Sequence, residues 1–163
     1  MPSLSGILSQ PIISYAVGAQ NARYADLSQS DIDALDTKWR DEREAEAQPL
    51  ISAVLSNPVS TYLTRVQAQS IGLYTEIFVM DDKGLNVGQS NISSDFWQGD
   101  EVKHQKTYGA GRGAVFVDAP EFRKDFGIWV VQVNLAIDGP QGPIGAATFE
   151  VNLTELGRRA AAG

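Results

Sequence analysis

Residues Tyr74–Tyr108 read YTEIFVMDDKGLNVGQSNISSDFWQGDEVKHQKTY, and this stretch decides the fold. Thr75 to Met80 is a β-branched and aromatic run, the composition of a strand. Asp81-Asp82-Lys83-Gly84 follows as a turn, with glycine where a positive φ is tolerated, and Leu85 to Gln89 is a second short strand. The pattern predicts a β-hairpin. A polar segment with two aromatics comes next, Asp95-Phe96-Trp97-Gln98-Gly99-Asp100, and runs into a short helix near Asp100 to Thr107.

Upstream of the hairpin the period is helical. Pro11 to Arg23 carries Ile12, Ile13, Ala16 and Val17 at helical spacing, with Pro11 suited to a first turn. Ser28-Gln29-Ser30-Asp31 resembles a capping box and predicts a helix to about Ala47. Its apolar stripe is thin (Ile32, Leu35, Trp39), and it ends in the charged run DEREAEA, which reads as a solvated helix or a partner-docking face. Two more helices are expected, from Pro49 to Leu55 and from Val59 to Gln69, with Gly72 as a stop.

Downstream the period turns to two. A glycine-rich loop, Gly109 to Gly113, precedes a short strand from Ala114 to Val117. Gly127 to Ile137 and Pro143 to Asn152 form a long hairpin around Asp138-Gly139-Pro140-Gln141-Gly142, and Leu153 to Ala161 reads as a terminal helical turn. Helices followed by about five antiparallel strands make one α+β domain: helices over 1–72, sheet over 73–153, tail over 154–163.

The last two strands sort their side chains by face. Trp129, Val131, Val133, Leu135 and Ile137, with Ala147, Phe149 and Val151, form an apolar face fit to pack under the helices. Ile128, Val130, Gln132, Asn134, Thr148, Glu150 and Asn152 form the other, with a polar centre. Glu76 joins the polar set and Ile77 the apolar one, or the reverse. Solvated faces are ordinary in antiparallel sheets. The Trp97 segment must also be placed, and covering the open face is its natural position.

Composition bounds the function. The 163 residues suit one domain, and 43% hydrophobic content supports a real core. A formal net charge of −7 argues against nucleic acid, which needs clustered Lys and Arg. With no cysteine, disulfides, thiol catalysis and cysteine zinc sites are excluded, and a single histidine, His104, excludes a His-rich metal site. No cofactor is expected. The stretch MPSLSGILSQPIISYAVGAQ has neither a basic n-region nor a long h-region, so it does not read as a signal peptide. A cytoplasmic chain and an exported one whose targeting segment has been cut away both fit.

Together, Tyr74 to Asp81, Gly84 to Val87, Ser94 to Glu101 and the ending Pro143 to Leu153 resemble the Cache superfamily, the PAS-like extracytoplasmic sensor domains of chemoreceptors and sensor kinases. The resemblance is to single-Cache (PDC) domains and spans most of the chain. It implies a long N-terminal helix packed on one face of a five-stranded sheet. The ligand pocket would lie on the opposite face, capped by the segment between strands two and three. It further implies a homodimer through the N-terminal helices, a membrane-bound signalling partner and a periplasmic or extracytoplasmic location. No flanking transmembrane helix, kinase or methyl-accepting region is present in the sequence.

The ligand candidates are Trp97, whose ring can stack on a ligand or hold a cation; Asp95 and Asp100, for an ammonium group; Lys103, for a carboxylate; and Gln132 and Asn134 on the polar face. Each has a plainer explanation: a core plug for Trp97, helix capping for the two aspartates, a solvated helix face for Lys103. No nucleophile or partnered acid accompanies His104, so the expectation is a binding domain and not an enzyme. Gly109, Gly111 and Gly113 match no phosphate loop and read as a turn or a lid. The second reading is a ligand-free interaction module that docks a partner or a second copy through its N-terminal helices.

Overall fold

The computed structural model describes residues 2–162. Five helices come first: α1 (Leu4–Leu8), α2 (Pro11–Arg23), α3 (Gln29–Arg43), α4 (Pro49–Leu55) and α5 (Pro58–Gln69). Their starts are written locally. Prolines open α2, α4 and α5. Ser28 and Asp31 close the capping box of α3, the Ser28 N–H donating to Asp31 Oδ2 at 2.9 Å and the Asp31 N–H to Ser28 Oγ at 3.2 Å. The sequence did not predict α1, a five-residue helix too short to show a period.

The hairpin forms as expected from β1 (Tyr74–Met80) and β2 (Asn86–Gln89). Asp81 Oδ1 accepts from the N–H groups of Lys83 (3.0 Å) and Leu85 (2.8 Å), and Gly84 takes a φ of 86°. Then come α6 (Val102–Gln105), a 3-10 turn at Tyr108–Ala110, β3 (Val115–Val117), β4 (Glu121–Arg123), β5 (Ile128–Gly139), β6 (Gly142–Asn152) and α7 (Leu153–Ala162). The strands form one antiparallel sheet in the order β2-β1-β6-β5-β3, with β4 also paired to β5. It therefore has six strands where about five were expected. The extra one, β4, is three residues long and too short to announce itself.

The two faces separate as the alternation predicts. Val131, Leu135, Ile137, Ala147, Phe149 and Val151 join Ile13, Val17, Leu63 and Val66 of the helices in the main core. Trp129 is the exception, half exposed beside Phe122 at the β4–β5 edge, its backbone N–H donating to Thr154 Oγ1 of α7 at 3.0 Å. In β1 both Glu76 and Thr75 belong to the open face. A bulge between Tyr74 and Glu76 puts two successive residues on the same side, while Ile77 joins the apolar core.

The expected single long helix is replaced by shorter ones. α3 is also not solvated all round, since Ile32, Asp36, Trp39 and Glu42 are buried. Its two buried carboxylates, Asp36 and Glu42, serve backbones outside the helix: Glu42 Oε2 accepts from the N–H groups of Leu50 (2.8 Å) and Ile51 (3.0 Å), capping α4. The C-terminal segment, expected as a helical turn, is the ten-residue α7. Among the described residues no helix is long and apolar enough to cross a membrane.

Candidate functional site

The open face of the sheet is roofed at its centre by α6 and the 3-10 turn. Phe78, Met80 and Ala146 pack there against Tyr108, and His104 stacks on Tyr108 with ring centroids 5.2 Å apart. His104 is buried with its Nε2 3.2 Å from the Asp81 carbonyl oxygen. Burial holds its pKa below the ordinary histidine value, so this ring is a neutral packing group. Beneath the roof, the Thr148 hydroxyl donates to Asn134 Oδ1 (2.7 Å), and Asn134 Nδ2 donates to the Phe116 carbonyl (3.1 Å).

Toward the start of β1 and the end of β6 the roof stops and a cleft of about 560 Å³ opens. Gln67, Tyr74, Thr75, Glu76, Asn91, Ile92, Arg123, Phe126, Ile128, Glu150 and Asn152 line it. Its volume is in the usual range for small-molecule clefts. Glu76 and Glu150 stand directly opposite each other on β1 and β6. Glu150 is only 5% exposed and fully engaged: Arg123 donates to its Oε2 at 2.6 Å and the Thr75 hydroxyl to its Oε1 at 2.7 Å.

Glu76 has no such partner; among the described residues no donor bonds its carboxylate. Burial pushes its pKa up to about 7, the neighbouring Glu150 charge adds to the rise, and Lys103 and Arg123 offset part of it. Among the described residues the buried Arg123 Nε has no partner either.

The six ligand candidates fall into two groups. Lys103, Gln132 and Asn134 lie on the open face. Lys103 Nζ is 3.4 Å from Gln132 Oε1, 2.9 Å from Glu101 and 5.1 Å from the centre of the Phe78 ring. Asn134 is fully buried and spends its amide inside the sheet.

Trp97, Asp95 and Asp100 are elsewhere. They line a separate hollow of about 330 Å³ against α3, with Asp36 and Arg40. The expectation that the Trp97 segment covers the open face is therefore corrected. Asp36 of α3 accepts the N–H groups of Phe96 (2.9 Å) and Trp97 (3.0 Å), Trp39 Nε1 donates to the Ser93 carbonyl (3.0 Å), and Trp39 stacks on Phe96 at 5.2 Å. Trp97 Nε1 donates to the Lys83 carbonyl at 2.8 Å. The segment is sewn to α3 and the hairpin turn, and Trp97 packs on the second apolar cluster of α3 and α4.

The glycine-rich loop is tied as well: Arg112 donates to the carbonyls of Gly139 (2.8 Å) and Pro140 (3.2 Å), away from the cleft. Glu76 and Glu150 were visible in the sequence as polar residues in apolar strands. Nothing in the short Glu121–Arg123 segment marked Arg123 as their neighbour.

Comparison with known proteins gives likenesses of structure. No protein-family model matches the chain, and no curated protein does. Among solved structures, the chain is similar to the sensory domain of the Campylobacter jejuni chemoreceptor Tlp3 (CcmL) at 16% identity and a TM-score of 0.47, over 92% of this chain and 59% of that one. It is also similar to the extracellular domain of the putative histidine kinase rpHK1S-Z16, at 13% identity and a TM-score of 0.47, over 93% and 59%. A third is the ligand-binding domain of the Pseudomonas aeruginosa amino acid chemoreceptor PctC in complex with GABA, at 12% identity and a TM-score of 0.43, over 89% and 60%. The chain thus spans about three fifths of the length of these sensory domains.

Proposed function

We propose that this chain is an extracytoplasmic small-molecule sensor domain of bacterial signal transduction, a binding domain and not an enzyme, with its ligand held on the open face of the sheet. The observation that carries the reading is the 560 Å³ cleft whose wall holds a half-buried carboxylate, Glu76, with no bonded partner among the described residues. A cleft carboxyl whose pKa is raised by burial and by a neighbouring like charge is the kind of group that gathers at functional sites. Lys103 and Gln132, at the inner edge of the same face, are the further ligand contacts in this reading. Trp97 is held instead by the Lys83 carbonyl and the α3–α4 cluster, and Asp95 and Asp100 lie beside it in the hollow against α3, away from the open face.

The output route starts at Asn152. This residue lines the cleft, donates to the Gly72 carbonyl (3.2 Å) and accepts the Glu155 N–H (3.0 Å) in the first turn of α7. A ligand that moves Asn152 therefore shifts α7 against the entry of β1, a population shift of the exit helix. In this reading a homodimer through the N-terminal helices or a membrane-bound signalling partner receives that movement.

The test is a thermal-shift screen of the purified chain against amines, amino acids, carboxylates, sugars and purines. A hit raises the melting temperature with the logarithm of its concentration, by mass action, and loses affinity in Gln132→Ala. A flat screen sinks the sensor reading and leaves the docking module, tested by pull-down with the exposed face of α3 substituted.

A further inference from the structure

The charges around the cleft do not balance. Glu150 and Arg123 neutralise each other at 2.6 Å, and Lys103 is paired with Glu101 at 2.9 Å. What remains is the Glu76 carboxylate, reachable from the cleft and bonded by no protein donor among the described residues. Apolar surface surrounds it on the outer side: Phe126, 78% exposed at the mouth, with Ile92 and Ile128 beside it. A carboxylate set in an apolar cleft with one uncompensated charge is the counter-group for a cation carrying an apolar body.

We propose that the cleft takes a monocationic primary amine with an apolar body, its ammonium group set against Glu76 and its body against Phe126 and Ile92. This rests on reading the open face as the ligand site and names the ligand class. An amino acid fits less well, because its own carboxylate meets two glutamates and a guanidinium that Glu150 already neutralises. An amine brings the cleft to neutrality, whereas a zwitterion leaves the surplus charge in place.

The groups facing Glu76 set how pH acts. Burial, and after it Glu150 on β6, keeps the Glu76 carboxyl protonated to higher pH, while Lys103 on α6 and Arg123 on β4 pull the other way. The free carboxyl titrates at about 7, and an alkylammonium titrates near the lysine value, about 10. Amine affinity therefore rises with pH as Glu76 ionises, by roughly 30-fold between pH 5.5 and pH 8.

The experiment is isothermal titration of two matched pairs into the intact chain: phenethylamine against phenylalanine, and isoamylamine against leucine. The expected result is that each amine binds at least about tenfold tighter than its amino acid. Glu76→Gln, checked for native circular dichroism, loses about tenfold or more in amine affinity and with it the pH dependence. The pH profile of the wild-type chain tests the same contact without a substitution, and an amine affinity that stays flat between pH 5.5 and pH 8 counts against it.

An amino acid binding tighter than its amine, or Glu76→Gln binding the amine unchanged, overturns the amine assignment and leaves the sensor reading standing. So does the absence of amine binding alongside a hit from another compound class. If no compound of any class binds, both readings fall.

Discussion

Replacing Asp36 by alanine tests whether the Trp97 segment is structural. Asp36 is 8% exposed, and its Oδ1 accepts two backbone N–H groups, those of Phe96 at 2.9 Å and Trp97 at 3.0 Å. Arg40 lies 3.0 Å from its other oxygen, but that guanidinium is more than half exposed, so the ion pair contributes little. Removing the carboxylate orphans one buried and one half-buried donor, and each loss costs about 1–3 kcal/mol. The expected loss is about 3 kcal/mol, or a fall in melting temperature of about 10 °C for a chain of this size. Phe96 loses its seat on Trp39 in the same step.

The assay is urea denaturation followed by tryptophan fluorescence, read as the midpoint at constant slope. Asp95→Ala is the control. Among the described residues its carboxylate accepts only from the Ser94 hydroxyl, at 2.8 Å, so this substitution changes stability by less than about 0.5 kcal/mol. Asp36→Asn falls between, because it keeps an acceptor and loses the charge. If Asp36→Ala costs less than about 1 kcal/mol, or no more than Asp95→Ala, the segment is not anchored as described and Trp97 is free to reach the open face.

Three further outcomes are expected. Glu76 has a pKa raised to about 7 in the fold against an ordinary 4.5, so its contribution to stability is complete below pH 4.5 and is lost as pH rises through 7; Glu76→Gln is accordingly the more stable protein at pH 8, by about 2–3 kcal/mol, and close to wild type at pH 4, and equal stability at both pH values refutes the burial of this carboxyl. Gly84→Ala places a Cβ into the Gly99 backbone at a φ of 86°, costing about 3 kcal/mol or more, and thermal melting within about 2 °C of wild type would contradict that close approach. Ile71, 79% exposed at a φ of 51°, is a strained β-branched residue; Ile71→Gly gains up to about 1 kcal/mol in chemical denaturation, and a loss of that size would show that the strain is absent.

What the sequence made legible was local. The Ser28–Asp31 box, the prolines at helix starts, the Asp81–Gly84 turn and the alternation of β5 and β6 each depend on residues within a few positions of one another. The path of the Trp97 segment depends on Asp36 and Trp39, some 60 residues earlier. On α3 Asp36 looks like part of a solvated face, because a buried acid that holds a distant backbone has the same letter as one in water. The cleft was half legible. Glu76 and Glu150 interrupt apolar strands, but the bulge at Tyr74–Glu76 that sets Thr75 and Glu76 on one side leaves no periodic trace. Arg123 arrives on a three-residue strand with no pattern of its own.

The two faces of the sheet then differ in a way that stability alone does not demand. The helix face is closed by one apolar core. On the open face, the centre satisfies itself through Thr148 and Asn134, while the far end keeps an opposed pair of glutamates and a guanidinium nitrogen without a partner among the described residues. Apolar residues of similar volume would serve the fold as well as that ion pair or better. They would also remove the Glu150 charge, which adds to the rise that burial gives the Glu76 pKa. Two side chains of opposite sign already meet here in Arg123 and Glu150, so the surplus carboxylate is not needed to anchor β4 to β6. A carboxyl that the fold does not require, set in the wall of a cleft beside the start of α7, is where the ligand proposed above would change the free energy of one conformation relative to another.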